Sequence, residues 1–213
     1  MVTEGKETEE PKFTTALCAG DAVGVHTRQE KRWFVAIVSN NSERACKEKL
    51  EQRIRTMTDP TRTYDVYVPV RKEKRTRSDG RRHSIICTLI PSMVFIRCTE
   101  LTRRREIVYL PYIKRFLINS AGSTVHNHRP VAHIPDRQMQ ALMRMVEDGE
   151  DEVTVEAAPL RLGERVRVRS GKLKGIEGNI VCEKDGSTSL VVLIDILGCA
   201  KMTISRSRLE AVR

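Results

Sequence analysis

The residues with the clearest capacity for chemistry form a basic run at positions 71–82. Seven of these twelve residues are lysine or arginine, and Asp79-Gly80 within the run is a turn signal typical of β-hairpins. Cations near phosphate attract nucleic acid but discriminate little between sequences. The run therefore predicts a cationic hairpin that contacts nucleic acid, and the alternative is a solvated tip that contacts nothing. The predicted nucleic-acid-binding residues are Lys72, Lys74, Arg75, Arg77, Arg81 and Arg82.

Catalytic and metal-binding chemistry is not indicated. The sequence contains no GxSxG, Walker A, HExxH or GxGxxG motif. His126 and His128 could hold a metal on a strand, with His133 nearby, but no cysteine or carboxylate cluster completes a ligand set. None of the six cysteines forms a CxxC pair, and we interpret them as small buried hydrophobes in a reduced compartment. We therefore expect no enzyme activity, no cofactor and no metal site.

Charge divides the chain into four parts. The 213 residues carry a net charge of +10, distributed as −3 over residues 1–30, +13 over 31–147, −5 over 148–160 and +5 over 161–213. At these boundaries we expect an N-terminal tail, a first domain, a solvated acidic linker and a second domain. The basic excess favours a polyanionic partner, although such charges also keep a surface soluble. No secretory leader or membrane-length apolar run is found, so we expect a soluble, cytoplasmic monomer without a membrane partner.

The first basic block has the pattern of an α+β domain. Residues 33–38 form a continuous apolar run, typical of a central strand covered on both faces. Apolar residues recur at every fourth position over 43–54, which predicts a helix with one inward stripe. Further strands are predicted over 64–70, 84–89, 93–97 and 114–118. A second helix is predicted after Pro135, with core positions at Met139, Leu142, Met143 and Val146.

The second basic block has the pattern of a small β-barrel. Valine and arginine alternate over residues 165–169, which predicts a strand with valines inward and arginines outward. Asp185-Gly186 marks a hairpin turn before an apolar strand that begins at Leu190. Five short strands within about fifty residues, separated by glycine turns, predict an SH3-like barrel. The expected fold is therefore α+β: an antiparallel sheet flanked by helices, a flexible linker and a C-terminal barrel.

The order of these elements resembles a known family. The segments KRWF (31–34), LIPSMVFI (89–96), GST (122–124) and IPD (134–136) follow one another as in the NGN domain of NusG-type transcription factors. Two later segments resemble the KOW motif and the glycine turn of the same family, GERVRVRSGKLKGIEG (163–178) and IDILGCA (194–200). The resemblance covers residues 31–213. The acidic linker and the Leu-Gly-Cys-Ala sequence are most similar to the UpxY group of specialised paralogues.

The resemblance implies an elongation regulator that binds RNA polymerase. In the family, an apolar depression of the NGN domain docks on the clamp helices of the polymerase's largest subunit, and the corresponding residues here are Trp33, Ile90, Pro91 and Met93. The family's aromatic-Pro-Gly-Tyr pattern stands here as Ile90-Pro91-Ser92-Met93, so the apolar character is kept without the aromatic anchors. The cationic hairpin would then face upstream or non-template DNA.

The resemblance also implies a partner for the barrel. In general factors of the family this is the termination helicase Rho or the ribosomal protein S-ten, and the contact loop corresponds to Ile196, Leu197 and Gly198. The family's phenylalanine and arginine beside that glycine are Leu197 and Cys199 here, which suits a specialised paralogue. UpxY-type paralogues are operon-specific antiterminators of capsular and surface polysaccharide gene clusters, and this is the predicted function. The alternative is a KOW-type RNA-binding or ribosome-associated protein.

Overall fold

The computed structural model describes residues 30–59, 62–76, 82–119, 129–149, 152–156, 163–183 and 185–212. Most of the expected N-terminal tail, together with His126 and His128, lies outside these residues. No helix in the described ranges is long and apolar enough to cross a membrane. Two antiparallel sheets, a separate two-stranded ladder and a few helices confirm the α+β class.

The first two elements are a buried strand and an amphipathic helix. Strand β1 (Arg32–Ile37) coincides with the continuous apolar run, and its four central residues are buried. Helix α1 (Glu43–Thr56) follows and buries Cys46 and Leu50, while Ile54 is half-buried. Both elements confirm the sequence prediction, because the apolar spacing matches the period of each structure.

The strand predicted over residues 64–70 is divided in two. Strand β2 (Asp65–Tyr67) ends before Pro69, and strand β3 (Val70–Thr76) begins after it and belongs to a different sheet. Proline has no N–H to donate to a ladder, so regular pairing stops there. The Pro69 carbonyl instead accepts a hydrogen bond from the Leu89 N–H at 2.9 Å.

A two-stranded ladder stands apart from both sheets. Strand β3 pairs over its full length with β4 (Arg82–Thr88), from Val70 opposite Thr88 to Thr76 opposite Arg82. Neither strand pairs with a third strand within the described ranges. The ladder corresponds to the predicted basic hairpin, whose turn at residues 77–81 lies outside the described residues.

The chain then completes the first sheet around β1. Strand β5 (Met93–Cys98) pairs with β1 on one side and with β2 on the other. A short helix α2 (Glu100–Thr102) continues into a π-helical turn (Arg103–Ile107), for which no sequence prediction was made. Strands β6 (Arg115–Phe116) and β7 (His133–Ile134) both pair with the other side of β1. Strand β1 is therefore central, as its apolar run predicts.

A buried arginine anchors the π-helical turn. The Arg103 side chain is 7% exposed, and its guanidinium carbon lies 5.5 Å from the Phe34 ring centroid and 5.1 Å from that of Phe116. It donates two hydrogen bonds to Glu100, from Nε at 2.8 Å and from Nη2 at 2.6 Å. Burial alone would raise the pKa of Glu100, but the hydrogen bonds from Arg103 and Arg104 hold it below its ordinary value. The Glu100 carboxylate is therefore ionised at neutral pH, next to a buried guanidinium group.

Helix α3 (Asp136–Asp148) is covered on two sides. Its apolar residues belong to a cluster that contains both the first sheet and the second domain. The fully buried positions are Met139, Leu142 and Met145, and the predicted core positions Met143 and Val146 are half-buried. The buried positions of α3 differ from the predicted ones because two surfaces, rather than one, contact this helix.

The second domain is a six-stranded sheet. Its strands in chain order are β8 (Val153–Glu156), β9 (Arg165–Val168), β10 (Glu177–Cys182), β11 (Thr188–Ile194), β12 (Gly198–Thr203) and β13 (Leu209–Ala211). In space they follow the order β13-β9-β10-β11-β12-β8. Val166 and Val168 of β9 are buried and the arginines between them are exposed, as the alternation predicts. Strands β9 to β13 account for the five strands of the predicted barrel.

Strand β8 lies inside the predicted acidic linker. It pairs antiparallel with β12 over four residues. Val153 is buried and Val155 half-buried, whereas Thr154 and Glu156 are exposed. The expectation that residues 148–160 all stay solvated is therefore wrong for this segment. Two valines spaced by one residue supply the apolar face of a strand even in an acidic stretch.

Two apolar clusters lie on the two faces of the first sheet. One contains Phe34 and Phe116 of the sheet together with Leu50 of α1. The other begins at Trp33 on the opposite face, continues through α3 and extends into the barrel as far as Leu190. The two domains therefore share one continuous apolar core, with α3 between them.

Candidate functional site

Three of the four predicted docking residues belong to the shared core. Trp33 and Ile90 are 6% and 7% exposed and are members of the cluster that runs through α3 into the barrel. Met93 is half-buried and packs against the same cluster, whereas Pro91 is exposed. The structure therefore brings Trp33, Ile90 and Met93 together, and it buries the first two.

A buried carboxylate positions the turn between Ile90 and Met93. Glu43, the first residue of α1, is 2% exposed and accepts hydrogen bonds from the backbone N–H groups of Ser92 and Asn41. Ser92 has a positive φ of 62°, in the left-handed region that glycine adopts most readily. The hydrogen bond to Glu43 therefore helps to hold this serine in the left-handed conformation.

The predicted nucleic-acid-binding residues are distributed along the ladder and its turn. Lys72, Lys74 and Arg75 lie within β3, Arg82 begins β4, and Arg77 and Arg81 lie outside the described residues. The register places Arg75 opposite His83 and Thr76 opposite Arg82, whose side chain is exposed. The basic positions of the two strands are therefore adjacent at the end of the ladder that leads into the turn.

Arg71 ties the base of the ladder to the second domain. Its guanidinium donates to Glu73 from Nε at 2.9 Å and from Nη2 at 2.6 Å, and it forms an ion pair with Glu152, the residue before β8. The hydrogen bonds that Arg71 donates to Glu73 raise the pKa of Arg71. Arg71 belongs to the basic run, but its charge is used within the molecule.

The predicted contact loop of the barrel is the turn between β11 and β12. Ile196 is 43% exposed and has a positive φ of 75°, which is strained for a β-branched residue. Leu197 is half-buried, and Gly198 begins β12 with a φ of 112°. Leu193 at the end of β11 is 39% exposed. The turn therefore presents apolar side chains, and its strained backbone is of the kind that collects at functional sites.

Polar contacts between α3 and the barrel were not predicted. The Gln138 side chain donates to the Asp195 carboxylate at 3.0 Å and accepts the Asp195 N–H at 2.7 Å. The Arg144 Nη2 donates to the carbonyl oxygens of Lys172 and Lys174 at 2.6 and 3.0 Å. These bonds hold α3 against two loops of the barrel, one of which is the predicted contact loop.

Glu177 is the centre of an ion-pair cluster across the same contact. Its carboxylate lies 2.5 Å from Arg137 of α3, 3.0 Å from Arg165 and 2.6 Å from Arg167 of β9. The side chain of Glu177 is 12% exposed. Hydrogen bonds from these arginines, the one from Arg167 foremost, lower the pKa of Glu177 to about 2. The carboxylate is therefore ionised at neutral pH and links the two domains by charge.

Sequence reasoning missed this contact because each of its residues has an ordinary interpretation. Arg137, Gln138 and Arg144 fall on the polar side of an amphipathic helix, which is expected to face solvent. Glu177 lies within the KOW-like segment without distinctive spacing. One usable signal was the alternation of Val153 and Val155, which indicates a strand inside the presumed linker.

Comparisons with known proteins agree with the resemblance. A family model named NusG, described as transcription termination factor nusG, matches residues 31–143. A transcription termination/antitermination protein NusG from Synechocystis is 26% identical over 183 residues, which cover 81% of this chain and 84% of the relative. One from Staphylococcus aureus is 25% identical over 168 residues, covering 79% and 88%. A solved structure described as domain interaction in Thermotoga maritima NusG covers 86% of this chain and 98% of its own, with 18% identity and a TM-score of 0.46.

The matched range of the family model coincides with the first domain. It begins immediately before β1, includes the first sheet and the ladder, and ends within α3. It therefore covers more than half of the chain. On this evidence the protein belongs to the NusG family of transcription termination and antitermination factors.

Proposed function

We propose that this protein is an RNA polymerase-bound elongation regulator that acts as an operon-specific antiterminator of a surface or capsular polysaccharide gene cluster. The main supporting observation is that Trp33, Ile90 and Met93 meet in one apolar cluster within the domain that matches the NusG model. Its relatives are named as termination/antitermination proteins. An apolar surface of this kind suits a pair of helices, here the clamp helices of the polymerase's largest subunit.

We propose that separation of the two domains controls docking through these residues. Trp33 and Ile90 are buried, and their cluster continues through α3 into the barrel. We therefore propose a joined arrangement, which is the one described above, and an open one in which the barrel has left α3. The apparent affinity for polymerase then rises with the fraction of molecules that are open. Variants that weaken the contact between α3 and the barrel are expected to bind polymerase more tightly.

The cationic ladder contacts upstream or non-template DNA in this proposal. Neither of its strands pairs with the two sheets within the described ranges. In this proposal its tip extends from the docked domain toward the nucleic acid. Its lysine and arginine residues would contact phosphate, which positions the protein without reading sequence. Operon specificity then has to come from a recruiting DNA or RNA element.

The turn between β11 and β12 is the proposed contact for a second partner, the ribosomal protein S-ten or Rho. Ile196 offers an exposed apolar side chain there. Asp195 in the same turn is bonded to Gln138 of α3 in the joined arrangement. Separation of the domains would therefore release this turn together with the docking surface.

Recovery of RNA polymerase at moderate salt tests the docking surface. We expect Met93→Glu to reduce the recovered polymerase about tenfold, because it places a charge in an apolar contact. Ile86→Glu is the matched control, since Ile86 is an exposed apolar residue on the ladder, and it should retain binding. Wild-type protein that recovers ribosomal RNA or ribosomal subunits, and no polymerase, would instead establish the KOW-type RNA-binding alternative.

Charge reversal tests the ladder separately. We expect glutamate at Arg75, Arg77, Arg81 and Arg82 to reduce readthrough in a purified transcription assay, because phosphate contacts are lost. Polymerase recovery should stay nearly unchanged, since the docking residues are untouched. Unchanged readthrough would contradict the role of the ladder.

Genome-wide mapping of the protein tests operon specificity, which predicts occupancy at one locus rather than across most transcribed genes.

A further inference from the structure

A cavity of about 460 Å³ lies between α3 and the barrel. Helix α3 contributes Arg137 and Arg144 to its lining, and the barrel contributes Arg165, Glu177 and the backbone around Gly175. Its volume falls in the usual range for small-molecule sites. Because both domains line it, the complete cavity exists only when they are joined.

The three arginines of the cavity retain unused hydrogen-bond donors. The Nη2 of Arg137 bonds to Glu177, that of Arg144 to the carbonyls of Lys172 and Lys174, and that of Arg165 again to Glu177. A guanidinium carries five N–H donors. Within the described part of the chain, the Nε and Nη1 groups of all three arginines have no hydrogen-bond partner.

The charges that line the cavity do not balance. Among its lining residues Arg137, Arg144 and Arg165 are basic and Glu177 alone is acidic, which leaves an excess of two positive charges. Glu177 itself shows that these arginines hold an oxyanion at hydrogen-bond distance, 2.5 Å from Arg137 and 3.0 Å from Arg165. A second oxyanion with two negative charges would neutralise the excess and accept the unused N–H donors.

The wall opposite α3 has open backbone. Gly175 has a φ of 88°, and no atom of the described residues lies within 4 Å of the position that a Cβ would occupy there. A side chain at this position would be strained and would project into open space.

We propose that this cavity binds a phosphate group, and that bound phosphate favours the joined arrangement because both domains supply its ligands. The group belongs either to a small diffusible molecule or to a nucleic-acid backbone, which offer the same oxyanion. The inference does not depend on the polymerase contact, because the cavity is a feature of the chain alone.

Calorimetric titration of the full chain with pyrophosphate tests the site, with ionic strength held constant by chloride. We expect saturable binding that Arg144→Gln and Arg165→Gln each weaken about tenfold, since each loses a charged hydrogen-bond donor. Arg169→Gln is the matched control, because Arg169 is exposed beside β9 and does not line the cavity. It should bind pyrophosphate like the wild type. Absence of saturable binding, or equal affinity in all four proteins, would overturn the proposal.

Two further measurements keep the test decisive. The Arg165 side chain is 60% exposed, so Arg165→Gln reports on the site even if Arg144→Gln loosens α3. If a single-stranded oligonucleotide competes with pyrophosphate, the nucleic-acid backbone is a source of the bound phosphate group. If it does not compete, the source is a small diffusible molecule. Small-angle scattering should show that pyrophosphate does not increase the radius of gyration, and an increase would overturn the link to the joined arrangement.

Discussion

Arg103 carries a charge into the core of the first domain, where it lies between Phe34 and Phe116 and bonds to Glu100. Removing this side chain leaves the space between the two rings unfilled, so we expect Arg103→Ala to cost about 3 kcal/mol of unfolding free energy. Arg104 also bonds to Glu100 but is 72% exposed, so Arg104→Ala should cost less than about 1 kcal/mol. Urea denaturation of both variants measures the difference, and equal losses would contradict a structural role for the buried charge.

Single residues were predictable where a local pattern determines them. The burial of Val166 and Val168 follows from strict alternation, because a strand directs successive side chains to opposite faces. The place of Arg103 does not follow from any local pattern. It depends on Phe34 and Phe116, which are brought together by the pairing of β1 with β6.

The same limit applies to the predicted docking residues. The apolar run around Trp33 predicts that its residues are covered, and the structure buries both Trp33 and Ile90. What covers them depends on α3 and on the barrel, which are distant in sequence. Their role in binding polymerase therefore remains a prediction for the experiments on Met93.

Strand β8 is the element that departs most from the sequence prediction, and its contribution can be measured. Val153 is 6% exposed, so we expect Val153→Ala to lower the unfolding free energy by about 2 kcal/mol through lost apolar burial. Thr154→Ala on the exposed side of the same strand should cost less than about 1 kcal/mol. Chemical denaturation of the full chain provides the measurement. Equal effects would mean that β8 adds no core to the barrel.

Helices and strands were predictable where their apolar residues recur at a regular spacing or a turn signal marks their ends. The central strand, helix α1 and the strands of the basic ladder have clear periodicity or turn signals, and all of them are present. The π-helical turn Arg103–Ile107 has no such signal in the sequence. Pro69 is visible in the sequence, but the prediction treats β2 and the start of β3, which lie on either side of it, as one strand.

The stability of the whole molecule is expected to depend on pH through Glu177. Its pKa is lowered from 4.5 to about 2 by hydrogen bonds, the one from Arg167 foremost. A depressed carboxyl pKa stabilises the folded protein fully above the ordinary pKa, and this contribution is lost as the pH falls from about 4.5 through about 2. Glu177→Gln cannot titrate, so its unfolding midpoint should fall less over this range than that of the wild type.

Thermal unfolding between pH 5 and pH 2 measures this dependence. Glu164→Gln is the control, because Glu164 is an exposed acid at the start of the same domain, and its curve should parallel the wild type. A Glu177→Gln curve that also parallels the wild type would show that the ion-pair cluster does not stabilise the molecule.

At the scale of the whole molecule, composition predicts two domains but not how they contact each other. The charge pattern places a first domain before an acidic strip and a second domain after it, while the family model covers the first. The packing of the barrel on α3 rests on contacts such as Gln138 with Asp195 and Arg137 with Glu177, between residues far apart in the chain. No local period encodes such a contact. It could therefore be found only in three dimensions.

The isolated ladder of β3 and β4 also bears on solubility. Each strand has one side without a neighbour in the described ranges, and such edges can recruit a second copy of the chain into an aggregate. Val70 and Ile86 add exposed apolar surface there. The repulsion between like charges in the basic run opposes this association. Glutamates in place of its arginines would still repel one another, whereas alanines would remove this protection and favour precipitation.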